Sequence, residues 1–314
     1  MTSLFAAPFL ATPLFALGML AIGLGIIPLN DAMFKLMSAD LSLGQLIGGR
    51  ALLVLGVLAV FTRALSSLFT LPPAVIGLFF GRAMCHAVAM ILFFVSLGSL
   101  PLATVLSIFF AAPILSTILS VPVLGETIGL HRISAVSVGM VGVLLIVRPG
   151  TIDFQPETLL VVLAAFFYAV FNILTRRFRR FGNLTAMVAA QHMCSVGTGG
   201  LLILISLIWP TDPSGNVTMD FLLRAPQWMT LTQGGYLLFC SFAVLFLSLA
   251  SSHAYRTVEA SAIAPFEYVA IPFGVLWGII IWQDWPDMMA WMGMGLIIAG
   301  GLYTVYRESR QHKS

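Results

Sequence analysis

Apolar residues along this chain fall into long runs, separated by short clusters of glycine, proline and charge. Each run is about as long as a lipid bilayer is thick, since a hydrocarbon core of about 30 Å needs roughly 20 apolar residues per helix. With turn residues and charges as boundaries, the pattern predicts ten helices, at 14–33, 42–62, 74–97, 102–124, 130–147, 157–175, 184–208, 230–253, 258–281 and 288–306. The expected fold class is therefore an all-α integral membrane protein, with no stretch left over for a soluble catalytic domain.

Composition supports this class. Of 314 residues, 60% are hydrophobic and 9% charged, and the mean hydropathy is +1.03; soluble domains carry about 25% charge. The opening MTSLFAAPFLATP has no Lys or Arg, so it lacks the basic region of a cleavable signal and is expected to lead into a retained first helix. Cys85, Cys194 and Cys240 sit in apolar runs without CxxC spacing, which points to core packing rather than a disulfide framework or a metal site.

The net charge of +3 is too small and dispersed for a nucleic-acid surface, and its use lies in topology. With a cytoplasmic N-terminus, Arg63, Arg132, Arg176, Arg177, Arg179, Arg180, Arg256, Arg307, Arg310 and Lys313 fall on the inner side and Lys35, Arg148 and Arg224 on the outer. This bias follows the positive-inside rule and places both termini in the cytoplasm, in the cell's inner (plasma) membrane. The RRFRR run at Arg176–Arg180 reads as a topology anchor, with lipid-headgroup binding as the alternative.

The chain also matches itself weakly. At an offset of 142, Asn30 falls on Asn172, Lys35 on Arg177 and Arg50 on His192. At an offset of 158, Gly125-Glu126 falls on Gln283-Asp284, Ala103-Thr104 on Ser261-Ala262 and Gly142 on Gly300. The polar stretch Pro210–Pro226 accommodates the difference as an outer loop. Five helices per half is an odd number, so the second half enters the membrane in the opposite sense, giving inverted repeats at 14–150 and 157–306 and a short cytoplasmic tail at 307–314. Pro113 and Pro122 in the fourth helix and Pro265 and Pro272 in the ninth interrupt nearly equivalent places, which points to a midplane site or to ordinary packing kinks.

The five-helix unit that runs from Asn30 and Lys35 through Arg50 to LGE at Leu124–Glu126 and GVLLIVRPG at Gly142–Gly150 resembles the EamA-type domains of the drug/metabolite transporter superfamily. FEYVAIPFGVLWG at Phe266–Gly278 resembles the second-half counterpart, followed by Gln283-Asp284 where the family often has Gly-Glu. The resemblance implies a ten-helix carrier of small organic molecules, often amino acids or related metabolites, with a central cavity.

Several polar residues stand inside the apolar runs. Glu267 lies mid-helix, where a carboxylate costs roughly 2.5–3.5 kcal/mol on insertion scales, so it is expected either to bind substrate or a proton or to enter a buried structural pair. Arg82 and His86 share a helix face; Arg82 either pairs with Glu267 or reaches back to the cytoplasmic interface, and His86 serves a substrate or proton, or a structural hydrogen bond. Arg50 and its repeat partner His192 form a second tier of candidates. Asn30, Tyr168 and Asn172 add uncharged hydrogen-bonding groups that also suit helix association, while Tyr268 and Trp277 wall a cavity or meet lipid. Asp31 is read as water-exposed near a helix end.

These features point to a secondary transporter for a small polar metabolite, an amino acid or related compound. Family resemblance favours efflux, and uptake of a metabolite or vitamin is the alternative. HExxH, GxSxG and Walker A motifs are absent, so neither an intramembrane enzyme nor an ATPase is expected, and no cofactor or metal. A membrane scaffold would leave the paired polar positions unexplained. The partners expected are a small-molecule substrate and membrane lipid, and the protein is expected to act as a monomer.

Overall fold

The computed structural model describes residues 12–99, 102–126, 129–147, 157–209, 217–259, 263, 266–283, 285 and 288–311. Among these residues there are helices and no strands. The helices are α1 (Pro13–Ser38), α2 (Leu43–Phe61), α3 (Ala64–Phe69), α4 (Pro73–Ser99), α5 (Leu102–Phe109), α6 (Ala112–Leu124), α7 (Leu130–Val147), α8 (Glu157–Arg177), α9 (Leu184–Ile208), α10 (Val217–Leu223), α11 (Leu231–Thr257), α12 (Ala270–Trp282) and α13 (Met288–Gln311). Six of them, α1, α2, α4, α8, α9 and α11, are long and apolar enough to cross a membrane. Their outward faces carry exposed Ile22, Leu52, Val60, Leu204 and Leu207, the surface that hydrocarbon would cover.

Helix starts follow capping chemistry. Ser42 and Thr230 each accept from the backbone N–H of Gln45 and Gln233, whose side chains return the bond. The same glutamines tie loops together: Gln45 Nε2 donates to Gln227 O at 2.7 Å, and Gln233 Nε2 to Asp40 Oδ2 at 2.9 Å. Arg224 completes this end of the bundle by donating to Ser38 O and Ala39 O at 3.0 and 2.6 Å.

Close helix crossings use glycine. A Cβ on Gly199 of α9 would stand 2.5 Å from the Gly48 Cα of α2 and 2.9 Å from the Gly44 oxygen, so this crossing needs bare backbone on both helices. Gly300 of α13 similarly faces the Ala135 carbonyl of α7. Across the bundle, α1 packs on α11, α4 on α8, α2 on α9 and α7 on α13.

Two helices with prolines expected to interrupt them are broken into separate segments. The fourth divides at Phe110–Ala111 into α5 and α6, with Pro113 in the first turn of α6. In the second half the chain turns at Tyr268–Val269 before α12, so Glu267 is not mid-helix but stands beside a break. Proline explains both, because it lacks a donor and crowds the preceding turn. Pro265 lies outside the described residues. The two breaks meet, the rings of Phe110 and Tyr268 lying 6.1 Å apart. The stretch 217–223, read from sequence as loop, forms α10.

A candidate transport site in the bundle

Polar residues from α1, α2, α4, α8, α9 and α11 converge inside the bundle. His86 on α4, Tyr168 on α8 and Asp31 on α1 are surrounded by protein yet only half-buried, so part of each faces an internal chamber. Around them stand Asn30, Arg50, Asn172, Gln191 and His192, all buried.

Glu267, 6% exposed, receives hydrogen bonds at Oε1 from Asn172 Nδ2 at 3.1 Å and the Tyr255 hydroxyl at 2.7 Å. Two neutral donors thus stabilise a carboxylate that has no ion pair among the described residues. Sequence reasoning missed Tyr255, whose position twelve residues before Glu267 gives no helical register to read across the intervening turn.

Arg82 does not pair with Glu267, nor does it reach an interface. It is fully buried, donating from Nε to Thr175 Oγ1 at 2.6 Å, from Nη1 to Met187 O at 3.4 Å and from Nη2 to Ser252 Oγ at 3.3 Å. Its guanidinium also lies 4.0 Å from the Phe171 ring centroid. The reason is register: Arg82 faces the ends of α8 and α11 nearest the basic loop, where the Thr175 and Ser252 hydroxyls stand, and the first turn of α9 at Met187.

The other face of the chamber is less satisfied. The Gln191 amide nitrogen lies 3.4 Å from both His86 Nε2 and Ser248 Oγ. The buried Asn30 Oδ1, His86 Nδ1, Asn172 Oδ1, Gln191 Oε1 and His192 Nε2 have no hydrogen-bond partner among the described residues. Buried polar atoms are ordinarily paired, so this group of unpaired ones marks a polar centre that the surrounding side chains leave unsatisfied. His86 stands 4.8 Å from Phe171, and Tyr168 5.2 Å from Phe109, giving the chamber an aromatic side.

Other candidates are placed apart from this cluster. Trp277 is half-buried against α1, its Nε1 donating to Gly25 O at 3.4 Å. The Tyr268 ring packs where a Cβ on Gly139 would come within 2.5 Å, and its hydroxyl has no partner among the described residues. Asp31, expected to be water-exposed, is enclosed, and Asn30 Nδ2 donates to its Oδ1 at 2.9 Å.

At the end of the bundle bearing the RRFRR run, arginines bridge helices. Arg256 Nη2 donates to Arg179 O at 2.6 Å and Gly182 O at 2.9 Å, and Arg177 Nη1 to Val123 O at 3.2 Å. Arg176 pairs with Glu126 at 2.6 Å and also bonds the Val258 carbonyl.

Long apolar helices around an enclosed polar centre define a multi-pass membrane protein. Residues 155–306 match the EamA-like transporter family, of the drug/metabolite transporter superfamily, and this match indicates a transporter rather than an enzyme. It is 26% identical over 215 residues to an S-adenosylmethionine uptake transporter of Rickettsia prowazekii, a match covering 68% of this chain and 66% of the relative. It is 26% identical over 211 residues to a riboflavin transporter of Vibrio cholerae, covering 66% of this chain and 64% of the relative. A crystal structure sharing 15% identity superposes with a TM-score of 0.70, covering 95% of this chain and 98% of the other, which shows a shared fold.

Proposed function

We propose that this protein is a secondary transporter for the uptake of a small polar metabolite, working by alternating access between two inverted five-helix halves, residues 14–150 and 157–306, about the central chamber. The observation that carries this reading is the cluster of buried, unpartnered polar atoms on α1, α4, α8 and α9. Three features support the inverted halves. Exchanging the halves converts the α1–α11 packing into α8–α4 and returns α2–α9 and α7–α13 to themselves. The breaks at Phe110–Ala111 and Tyr268–Val269 obey the same offset of 158 residues found in the sequence. The halves differ where function would require it, Phe109 in one corresponding to Glu267 in the other.

The uptake named for the Rickettsia relative favours inward movement over the efflux expected from sequence resemblance. Without an ATPase motif the driving force is a gradient, and Glu267, the chamber carboxylate held by Asn172 and Tyr255, carries either the coupling proton or a cationic group of the substrate. The positive-inside bias of the sequence supports an inner-membrane orientation with both termini cytoplasmic.

The test is a pooled-metabolite assay in proteoliposomes, read by mass spectrometry, at equal pH and with an imposed pH gradient. Wild type should move a defined metabolite, and Glu267→Gln should lose this. Acceleration by the gradient identifies Glu267 as the proton carrier; movement independent of both gradient and Glu267 returns that residue to a structural role.

A further inference from the structure

The two arginines in the bundle differ in a way the sequence does not show. Arg82 spends its donors on Thr175, Met187 and Ser252, and no donor nitrogen of its guanidinium is left without a partner. Arg50 on α2 is 6% exposed, yet among the described residues its guanidinium donates no hydrogen bond. Its central carbon lies 4.8 Å from the Phe34 ring centroid and 6.0 Å from that of Phe94, cation–π contacts that use none of its N–H groups as hydrogen-bond donors.

An opposite charge is held close but not in contact. Asp31 stands on α1 one turn before Phe34, the ring that Arg50 lies against; among the described residues it forms no ion pair with Arg50, and its one hydrogen bond comes from Asn30 Nδ2. Both residues are seven positions from the α1–α2 connection, counting from the start of α2 and the end of α1, which places them at a common depth of about 10 Å. His192 Nε2 and Asn30 Oδ1, both without partners, stand beside them. A buried charge without a partner is costly, and a contact pair would relieve both charges at once. The fold keeps them apart instead.

We propose that Arg50 and Asp31 form the two poles of a subsite for a dipolar group, a carboxylate on the Arg50 fork and an ammonium on Asp31, the pattern of an α-amino acid. Asn30 Oδ1 accepts a second N–H of the ammonium, and His192 lies on the carboxylate side. This inference rests on the transporter reading and narrows its substrate to compounds that carry a zwitterionic end. The aromatic side at Phe109, Tyr168 and Phe171 is left for the remainder of the molecule. Of the two relatives' named substrates, S-adenosylmethionine bears such an end and riboflavin does not.

The test uses the full-length protein in proteoliposomes with S-adenosylmethionine, L-methionine and L-phenylalanine as zwitterionic probes, their decarboxylated amines, and riboflavin as a control without the dipole. Wild type should carry at least one zwitterion at least about tenfold faster than its amine, the size of one charge-assisted contact. Arg50→Gln should erase this preference by slowing the zwitterion alone, with Arg50→Lys intermediate. Asp31→Asn should erase the wild-type preference for L-phenylalanine over its deaminated acid, 3-phenylpropionate, included as a further probe. Each variant should remain folded with a thermal midpoint near that of wild type, because the changes give up only the ring contacts of Arg50 and the Asn30 bond to Asp31 and break no ion pair. Equal rates for zwitterion and amine, an unchanged preference in Arg50→Gln, or transport of riboflavin or another non-dipolar metabolite alone would overturn the subsite and leave the transporter reading standing. If nothing in a pooled metabolite extract crosses, the transporter reading itself fails.

Discussion

Two arginines spaced 32 positions apart illustrate how little a residue's type says about its task. Arg82 holds α4 to α8, α9 and α11 through Thr175, Met187 and Ser252. Arg82→Gln should therefore lower stability by about 2–3 kcal/mol, because each partner left unpaired inside the bundle has a cost. In a thermal-unfolding assay in detergent this reads as a fall of several degrees, whereas Arg50→Gln, which gives up only the contacts with Phe34 and Phe94, moves the midpoint less. Glu267 was recognisable from sequence as an isolated acid, as was Asn172 from the repeat. Their hydrogen bond was not, since it depends on how α8 and the chain break rotate towards each other. Tyr255, Gln191 and the enclosure of Asp31 escaped for the same reason: side chains distant in sequence meet only once helix rotation is fixed.

At the scale of elements, apolar run length gave most helix positions, and the second helix departs from its expected limits by a single residue at each end. The proline breaks were legible as interruptions, but not that Phe110 and Tyr268 would meet. Glycine spacing explains the α2–α9 crossing, where Gly44 and Gly48 lie one turn apart on the face that Gly199 meets. Gly199→Leu should separate these helices and cost about 1–3 kcal/mol or more, seen as reduced yield and an earlier unfolding midpoint. Gly197→Leu, at a position where a Cβ meets nothing within 4 Å, should leave both unchanged.

For the whole molecule, the basic end and the opposite end are each held by hydrogen bonds that cross between helices. At the basic end the RRFRR run does more than set topology, because Arg176, Arg177 and Arg179 bond to groups on α6 and the end of α11. The alternating access proposed above would require these links to part while those of Arg224, Gln45 and Gln233 hold. Arg256→Ala, which removes the bonds to Arg179 and Gly182, should speed alkylation of a cysteine placed at Ser251 in a background free of other cysteines. Reagent added on the RRFRR side should show the increase, and an unchanged rate would mean that this end opens elsewhere. The central claim is that the enclosed polar chamber is where the substrate passes. Initial transport rates of wild type, Glu267→Gln and Asn172→Ala, set beside Trp228→Ala at a 99% exposed position, test this most directly in proteoliposomes with equal amounts of folded protein. The chamber variants should lose at least about tenfold in rate while Trp228→Ala matches wild type. Rates for the chamber variants equal to wild type would contradict the account.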